Sequence, residues 1–399
     1  MNFPRILKKR KGYIDRIKPF MQKSVAKVLT GQRRVGKSFL LYQLIEEILA
    51  EEPDANIIYV NLEDFTFSSL QTAEDLHSYI ISHSKEKVKN YIFIDEIQDI
   101  PGFEKVIRSL LLNEDNDIYI TGSNAKMLSG ELATYLSGRY IEFKIYSLSY
   151  SEFLEFHGLT ESETSYELYS RYGGLPYLLN LPLEDETVNE YLKSVYSTIV
   201  FRDVVSRYKL RNTLFLEKLI QFLSENIGNL FSAKNISDYL KSQHTAISVN
   251  QIQSYTEYLN NAFLIHRVER YDLIGKRVFE IGEKYYFENM GIRNIVIGYR
   301  ITDKAKILEN LVYNHLLYKG YDIKVGYYGD KEIDFVGEKN GEKLQVALKI
   351  DSDKTAEREF GNLLKIQDNY PKIVVTEDTF SGNSYEGIRH CSIRQFLME

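Results

Sequence analysis

The sequence predicts an α/β protein that opens on a parallel sheet covered by helices, and three observations carry that prediction. Residues 30–40 read TGQRRVGKSFL, in which Gly31, Gly36, Lys37 and Ser38 fill the pattern G-x-x-x-x-G-K-[ST]. That pattern lies between a short apolar run at 24–30 (SVAKVLT) and a stretch at 38–49 with apolar residues at helical spacing. Further apolar runs at 56–61, 91–94, 117–121 and 141–145 alternate with helical stretches at 70–82, 103–112 and 125–136. Short buried strands separated by helices form a parallel sheet with helices on its faces. The third observation is YIFIDEIQDI at 91–100, where an apolar strand ends on two acids, Asp95 and Glu96.

The glycine loop comes first. A turn almost free of side chains lets successive backbone N–H groups point inward at phosphate oxygens, and the helix that follows adds its positive dipole end. The nucleotide-binding candidates are therefore Gly31, Gln32, Arg33, Arg34, Val35, Gly36, Lys37, Ser38 and Phe39. Lys37 is expected to reach the β- and γ-phosphates, with Ser38 on Mg²⁺. Asp95, at the C-terminal edge of its strand, is the second Mg²⁺ ligand. Glu96 is placed to polarise an attacking water, since the rest of such catalysis is positioning and charge neutralisation. ATP and Mg²⁺ are the implied cofactors.

The first domain is expected at residues 1–156. Residues 157–211, rich in Tyr and Leu and broken by the turn Gly173-Gly174-Leu175-Pro176, are expected to form a helical lid or connector. Three helical stretches and a strand-like LIHRVERYD within 212–303 give the plan of a winged helix-turn-helix. In it Asn250, Gln251, Gln253 and Ser254 open the third helix, and Lys276 and Arg277 fall in or after the wing. Residues 304–399 alternate helix and strand again and make a second α/β domain.

Composition narrows the function classes. The chain has 399 residues, 44% apolar, a formal net charge of -6 and one cysteine, Cys391. That charge argues against indiscriminate coating of nucleic acid, although residues 5–37 hold about a dozen Lys and Arg against the single acid Asp15. The run Lys8-Lys9-Arg10-Lys11 is read as a solvated terminus in preference to a nucleic-acid contact. A lone cysteine excludes an intramolecular disulfide and a cysteine zinc site. No stretch has the apolar length of a membrane span, so a cytoplasmic protein without membrane contact is expected.

The strand at 56–61, intervening between the glycine loop and the acidic strand, together with Glu96, resembles the additional-strand, catalytic-glutamate class of P-loop ATPases, which includes AAA-type and STAND-like enzymes. That class places a polar sensor after the next strand, here Asn124 in preference to Ser123 (ITGSNAK). Arg139 is the first candidate for an arginine supplied to a neighbouring subunit, ahead of Arg171, Arg202 and Arg207. The segments GQRRVGKS, FIDEIQ, ITGSNAKMLSGELATYLSGRY, RYGGLPYLL and GDKEIDFV together resemble a widespread family of prokaryotic AAA-type ATPases. Members carry a C-terminal domain of unknown function related to restriction endonucleases.

That resemblance implies a metal site built from an early Glu, an Asp and [DE]-x-Lys. Glu309 and Asp334 match, but the third element pairs Gln345 with Ala347 or Ala347 with Lys349. Either way a charged ligand is lost, and weak metal binding without strand cleavage is expected. The expected function is ATP binding and hydrolysis by a DNA-associated homo-oligomer. The alternatives are an ATP-controlled, STAND-like switch with a C-terminal module that binds a protein partner and, behind it, an ATP-dependent nuclease.

Overall fold

Strands buried on both faces need cover above and below, and the first part of the chain supplies a helix after almost every one. The computed structural model describes residues 8–125, 133–136, 138–242, 247–273, 282–329, 331–349, 360–361, 363–366, 368–377 and 384–399. Two compact units emerge, one of residues 1–147 with Asn261–Phe263, the other Leu148–Asn260 with Leu264–Glu399.

In the first unit the order is α1 (Lys11–Ile17), β1 (Ala26–Thr30), α2 (Lys37–Glu51), β2 (Asn56–Asn61), α3 (Ala73–His83), β3 (Asn90–Asp95), α4 (Phe103–Leu110), β4 (Asn116–Gly122), α5 (Ala133–Leu136) and β5 (Tyr140–Lys144). All neighbours pair in parallel, in the order β2-β3-β4-β1-β5. β4 therefore lies between the glycine-loop strand and the acidic strand in space, while β2, which intervenes in sequence, forms the edge. Val28, Ile58, Ile92, Ile94, Ile107, Ile118 and Ile120 belong to one buried cluster. Lys27, within the apolar β1, is fully buried because Asp117 on β4 pairs with it and the Tyr119 ring lies 4.6 Å away.

The basic run at 8–11 is solvated at Lys9 and Lys11 but not at Arg10. Arg10 is 3% exposed. Its guanidinium donates to the carbonyls of Val35 (3.2 Å), Tyr146 (2.8 Å) and Ser147 (3.4 Å). Its own N–H donates to Gln43 Oε1 at 3.0 Å, and Lys9 Nζ pairs with Glu47 at 2.7 Å. Loop carbonyls have no ladder partner, and a guanidinium fork satisfies several at once.

The second unit opens with α6 (Tyr150–His157), which the sequence placed at the end of the first domain. It packs instead on α7 (Glu163–Tyr172), with the Phe153 and Tyr169 rings 5.3 Å apart. The Gly173-Gly174 turn approaches so closely that a Cβ on Gly174 would lie 2.3 Å from the Leu148 carbonyl oxygen. α8 (Asp185–Thr198) runs into a π-helical stretch, Ile199–Ser206. Three helices follow, α9 (Thr213–Glu225), α10 (Ala233–Ser242) and α11 (Val249–Asn261), and then an antiparallel pair, β6 (Ile265–Asp272) and β7 (Glu283–Phe287).

After α12 (Met290–Ile297) and α13 (Lys304–Tyr318) come β8 (Asp322–Tyr328), β9 (Lys331–Lys339), β10 (Glu342–Lys349), β11 (Lys372–Thr376), β12 (Ser384–Tyr385), β13 (Ile388–Ser392) and a last helix, Ile393–Met398. The β6–β7 pair is not a separate wing. β6 also pairs in parallel with β8, Arg270 opposite Val325, so one eight-stranded sheet runs β12-β13-β11-β10-β9-β8-β6-β7. A strand edge left open by the hairpin is satisfied by the next strand in the chain. Residues 212–303 and 304–399 thus share a sheet. Of the helical stretch TAEREFGNLLKIQDN expected at 355–369, residues 355–359, 362 and 367 lie outside the described residues.

Candidate nucleotide-binding site

β1 ends at Thr30, and the chain turns at once. Gly31 has φ +152°, and a Cβ there would sit 2.1 Å from the Ile145 carbonyl oxygen, so no side chain fits. Gly36, at φ 96° and ψ 23°, starts α2 from the left-handed region that glycine adopts without a steric cost. Lys37 is 4% exposed, and its Nζ donates to the carbonyls of Gly31 and Gln32, both at 3.0 Å. Gln32, Arg33 and Val35 are buried, Ser38 is half-buried, and Arg34 and Phe39 are exposed.

β3 delivers the acids. Asp95 accepts from Thr121 Oγ1 of β4 and from the Ser38 hydroxyl, with Tyr59 OH at 3.5 Å. Withdrawal from water pushes its carboxyl up, against the pull of Ser38, Thr121 and Lys37. Glu96 takes a left-handed conformation, φ 57° and ψ 44°, that turns the chain away from the strand. Its N–H donates to Thr121 Oγ1 at 2.9 Å. Its Oε2 accepts from Gln98 Nε2 at 2.5 Å and Ser123 Oγ at 3.1 Å. Lys37 Nζ stands 3.8 Å and Arg33 Nη2 3.9 Å from the same carboxylate. Burial alone would raise Glu96, yet the Lys37 and Arg33 cations hold it below the ordinary carboxylate range.

Lys37, Ser38, Asp95 and Glu96 are therefore brought together. Of the two polar residues after β4, Ser123 is bonded to Glu96, and Asn124 is buried beside it. Sequence reasoning did not single out Thr121, Gln98 or the Arg33–Glu63 pair at 2.9 Å. Thr121 lies inside ITGSNAK and reaches the acids only through the parallel pairing of β3 with β4, while Gln98 lies inside FIDEIQ, two residues beyond Glu96 on the turn that follows β3. Arg139 is exposed at the start of β5, where its carbonyl accepts from Ala26 N–H, the opposite end of β1 from the glycine loop. Arg171 pairs with Asp185, Arg202 is exposed and Arg207 half-buried, all in the second unit.

The site fits a phosphate chain with a divalent cation. Two turns admit no side chain or favour none, a buried ammonium faces carbonyls at the loop, a fifteen-residue helix begins there, and a buried carboxyl is raised where a cation would lower it.

A second constellation lies in the other unit. Glu309 is on α13, Asp334 on β9 and Gln345 on β10. The register Phe335 opposite Val346 sets Asp334 across from Ala347, and Asp334 Oδ2 accepts from Leu348 N–H at 2.9 Å. Gln345 does not join the two acids. Its Nε2 donates to Asp368 at 2.6 Å. Among the described residues no group of three His, Cys, Asp or Glu is arranged to hold a metal ion. On α11, Asn250, Gln251 and Gln253 are exposed and Ser254 is half-buried, whereas Lys276 and Arg277 lie outside the described residues.

Residues 23–154 match the model of an AAA domain, and 163–303 match a domain of unknown function (DUF8612). An uncharacterized protein of Haemophilus influenzae is 36% identical over 402 residues, covering 98% of each chain. The chain is an AAA-type P-loop protein of that family. An uncharacterized protein of Methanocaldococcus jannaschii is 31% identical over 343 residues, 81% of this chain and 75% of that one. Among solved structures, the replication initiator DnaA bound to AMPPCP and single-stranded DNA aligns over 64% of this chain and 90% of its own, at 16% identity and TM-score 0.33. In this AAA-type protein the glycine loop, the acidic pair and the polar residues after β4 all fall inside the AAA match. No helix among the described residues is long and apolar enough to cross a membrane.

Proposed function

We propose that this AAA-type protein binds ATP with Mg²⁺ and hydrolyses it in a homo-oligomer that works on DNA in the cytoplasm. The observation that carries the reading is the convergence of the buried Lys37, Asp95 and Glu96, with Lys37 Nζ 3.8 Å from Glu96 Oε1. ATP supplies a phosphoanhydride, and Mg²⁺ neutralises its charge. Gly31 to Gly36 present backbone N–H groups, Lys37 provides the buried cation, and Ser38 and Asp95 hold the metal. Glu96, kept ionised by Lys37 and Arg33, draws a proton from water at its carboxylate, while Ser123 and Asn124 orient the polar end of β4. Arg139 lies roughly 15 Å along β1 from its own glycine loop, which suits an arginine given to a neighbouring copy.

DNA contact is assigned to the exposed polar start of α11, in a winged-helix-like segment within 212–303. Residues 304–399 are read as an endonuclease-like fold used for binding rather than cleavage. One observation favours a second reading, an ATP-controlled switch of STAND-like type with slow turnover. Glu96 already has Gln98, Ser123, Lys37 and Arg33 around its carboxylate, so a water must compete with four neighbours.

Lys37→Ala is expected to abolish ATP binding in a calorimetric titration. Glu96→Gln is expected to bind normally and to slow turnover by roughly 10²-fold or more. Unchanged turnover in Glu96→Gln would remove that residue from catalysis. Turnover that rises on adding DNA supports the first reading, and a retained nucleotide with slow turnover indifferent to DNA supports the switch.

A further inference from the structure

Three carboxylates in the second unit converge on one buried cation. Lys284 of β7 is 3% exposed. Its Nζ pairs with Glu309 Oε1 at 2.9 Å and with Glu332 Oε1 at 2.5 Å, and Asp334 lies close enough to act on its charge. Burial would lower this lysine, but Glu309, Asp334 and Glu332 together raise it, so it is an ammonium at any physiological pH. Asp334 is raised, first by withdrawal from water and then by Glu309.

Four of the six carboxylate oxygens are already engaged, two of them by the ammonium itself. Glu309 Oε1 also accepts from Tyr286 OH at 2.7 Å, and the Glu309 carboxylate abuts Gly228, where a Cβ would come 2.5 Å from Oε2. Glu332 Oε2 accepts from Tyr327 OH at 2.5 Å, and Asp334 Oδ2 from Leu348 N–H at 2.9 Å. A divalent ion needs about six oxygens at roughly 2.0–2.6 Å, and it would have to sit where the ammonium stands. Two cations cannot share that point, and Ala347 across from Asp334 offers no further ligand.

We propose that the Lys284 ammonium is the resident cation of the Glu309–Glu332–Asp334 cluster, closing it to divalent metals and tying β7 to α13 and β9 in place of a metal. This cluster therefore works without metal chemistry, as a structural tie among the three elements. Removal of the ammonium should free the carboxylates and create a metal site that the wild-type chain lacks.

The test is Mn²⁺ binding by the full-length, nucleotide-free protein, followed by the loss of free-ion electron paramagnetic resonance signal. The wild-type chain is expected to show no site tighter than about 1 mM that depends on Asp334. Lys284→Ala, folded by circular dichroism, is expected to gain one site at least about tenfold tighter, and adding Asp334→Asn should remove it. Any Mn²⁺ held near Asp95 is unaffected by Asp334→Asn, so failure of the nucleotide-site reading does not alter this result. Asp334-dependent Mn²⁺ binding by the wild-type chain overturns the proposal, and so does a folded Lys284→Ala that gains none. If Lys284→Ala does not fold, Lys284→Gln takes its place, and if neither folds, the wild-type comparison with Asp334→Asn decides.

Discussion

Replacing Arg10 by alanine tests whether the N-terminal segment is part of the nucleotide-binding framework. The guanidinium donates to three carbonyls, at Val35, Tyr146 and Ser147, and lies 4.5 Å from the Tyr13 ring centre. A hydrogen bond from a charged donor contributes about 1.5–3 kcal/mol, and buried acceptors left without a donor add a desolvation cost. The three bonds share one side chain and do not add in full, so a loss of about 3–5 kcal/mol is expected. At roughly 2–4 °C per kcal/mol, the calorimetric transition of the first unit should fall by about 10 °C. Val35 is inside the glycine loop, so ATP affinity should weaken as well, by roughly tenfold for a loosened carbonyl. Arg10→Lys keeps the charge but not the fork and should recover only part of the loss. Melting within about 1 °C of wild type together with unchanged ATP affinity would refute the reasoning.

Arg139→Ala is expected to slow hydrolysis while leaving ATP affinity intact, and mixing it with Lys37→Ala protein should restore activity, because one copy keeps the arginine and the other the loop. No recovery at any ratio, with assembly verified by mass, would set Arg139 aside. His315 on α13 is buried against Phe396, with ring centres 5.1 Å apart. Burial, then Lys319, pushes its pKa down to about 3. The unfolded chain binds that proton from about pH 6.5 downward and the native chain does not, so stability is lost as the pH falls, by roughly 2–3 kcal/mol at pH 4.5. His315→Leu should remove that part of the acid slope in urea titrations, and identical slopes in the two proteins would contradict the assignment.

The first unit was largely legible because its signals are local. Apolar runs such as NIIYVN at 56–61 match β2 residue for residue, and the glycine pattern fixes the start of α2 to within one position. Sheet order was not legible, because hydrophobic runs carry no record of their neighbours. Nor was Arg10, since a basic run looks the same in a sequence whether its carbonyl partners are near or far. The second unit was harder for a related reason. Lys284 reads as one of many lysines until β7, α13 and β9 bring three acids to it, and Gln345 reads as a metal-site residue until its partner Asp368 is seen. The strand Ile388–Ser392 and the last helix escaped because SIRQFLME is too short to show a period, although Ser392 and Gln395 form a capping box there.

The pairing of β6 with β8 limits how this protein can be cut, grafted or recombined. Three residues, Arg270 to Asp272, lie in register with Val325 to Tyr327, across the position where a domain boundary was expected at 303–304. A fragment beginning at 304 keeps Glu309, Glu332 and Asp334 but loses Lys284, so it begins with three acids and no counter-charge. A fragment ending at 303 keeps the lysine and exposes the open edge of β6. Chimeras between relatives joined at that point would have to match strand register and ion cluster together.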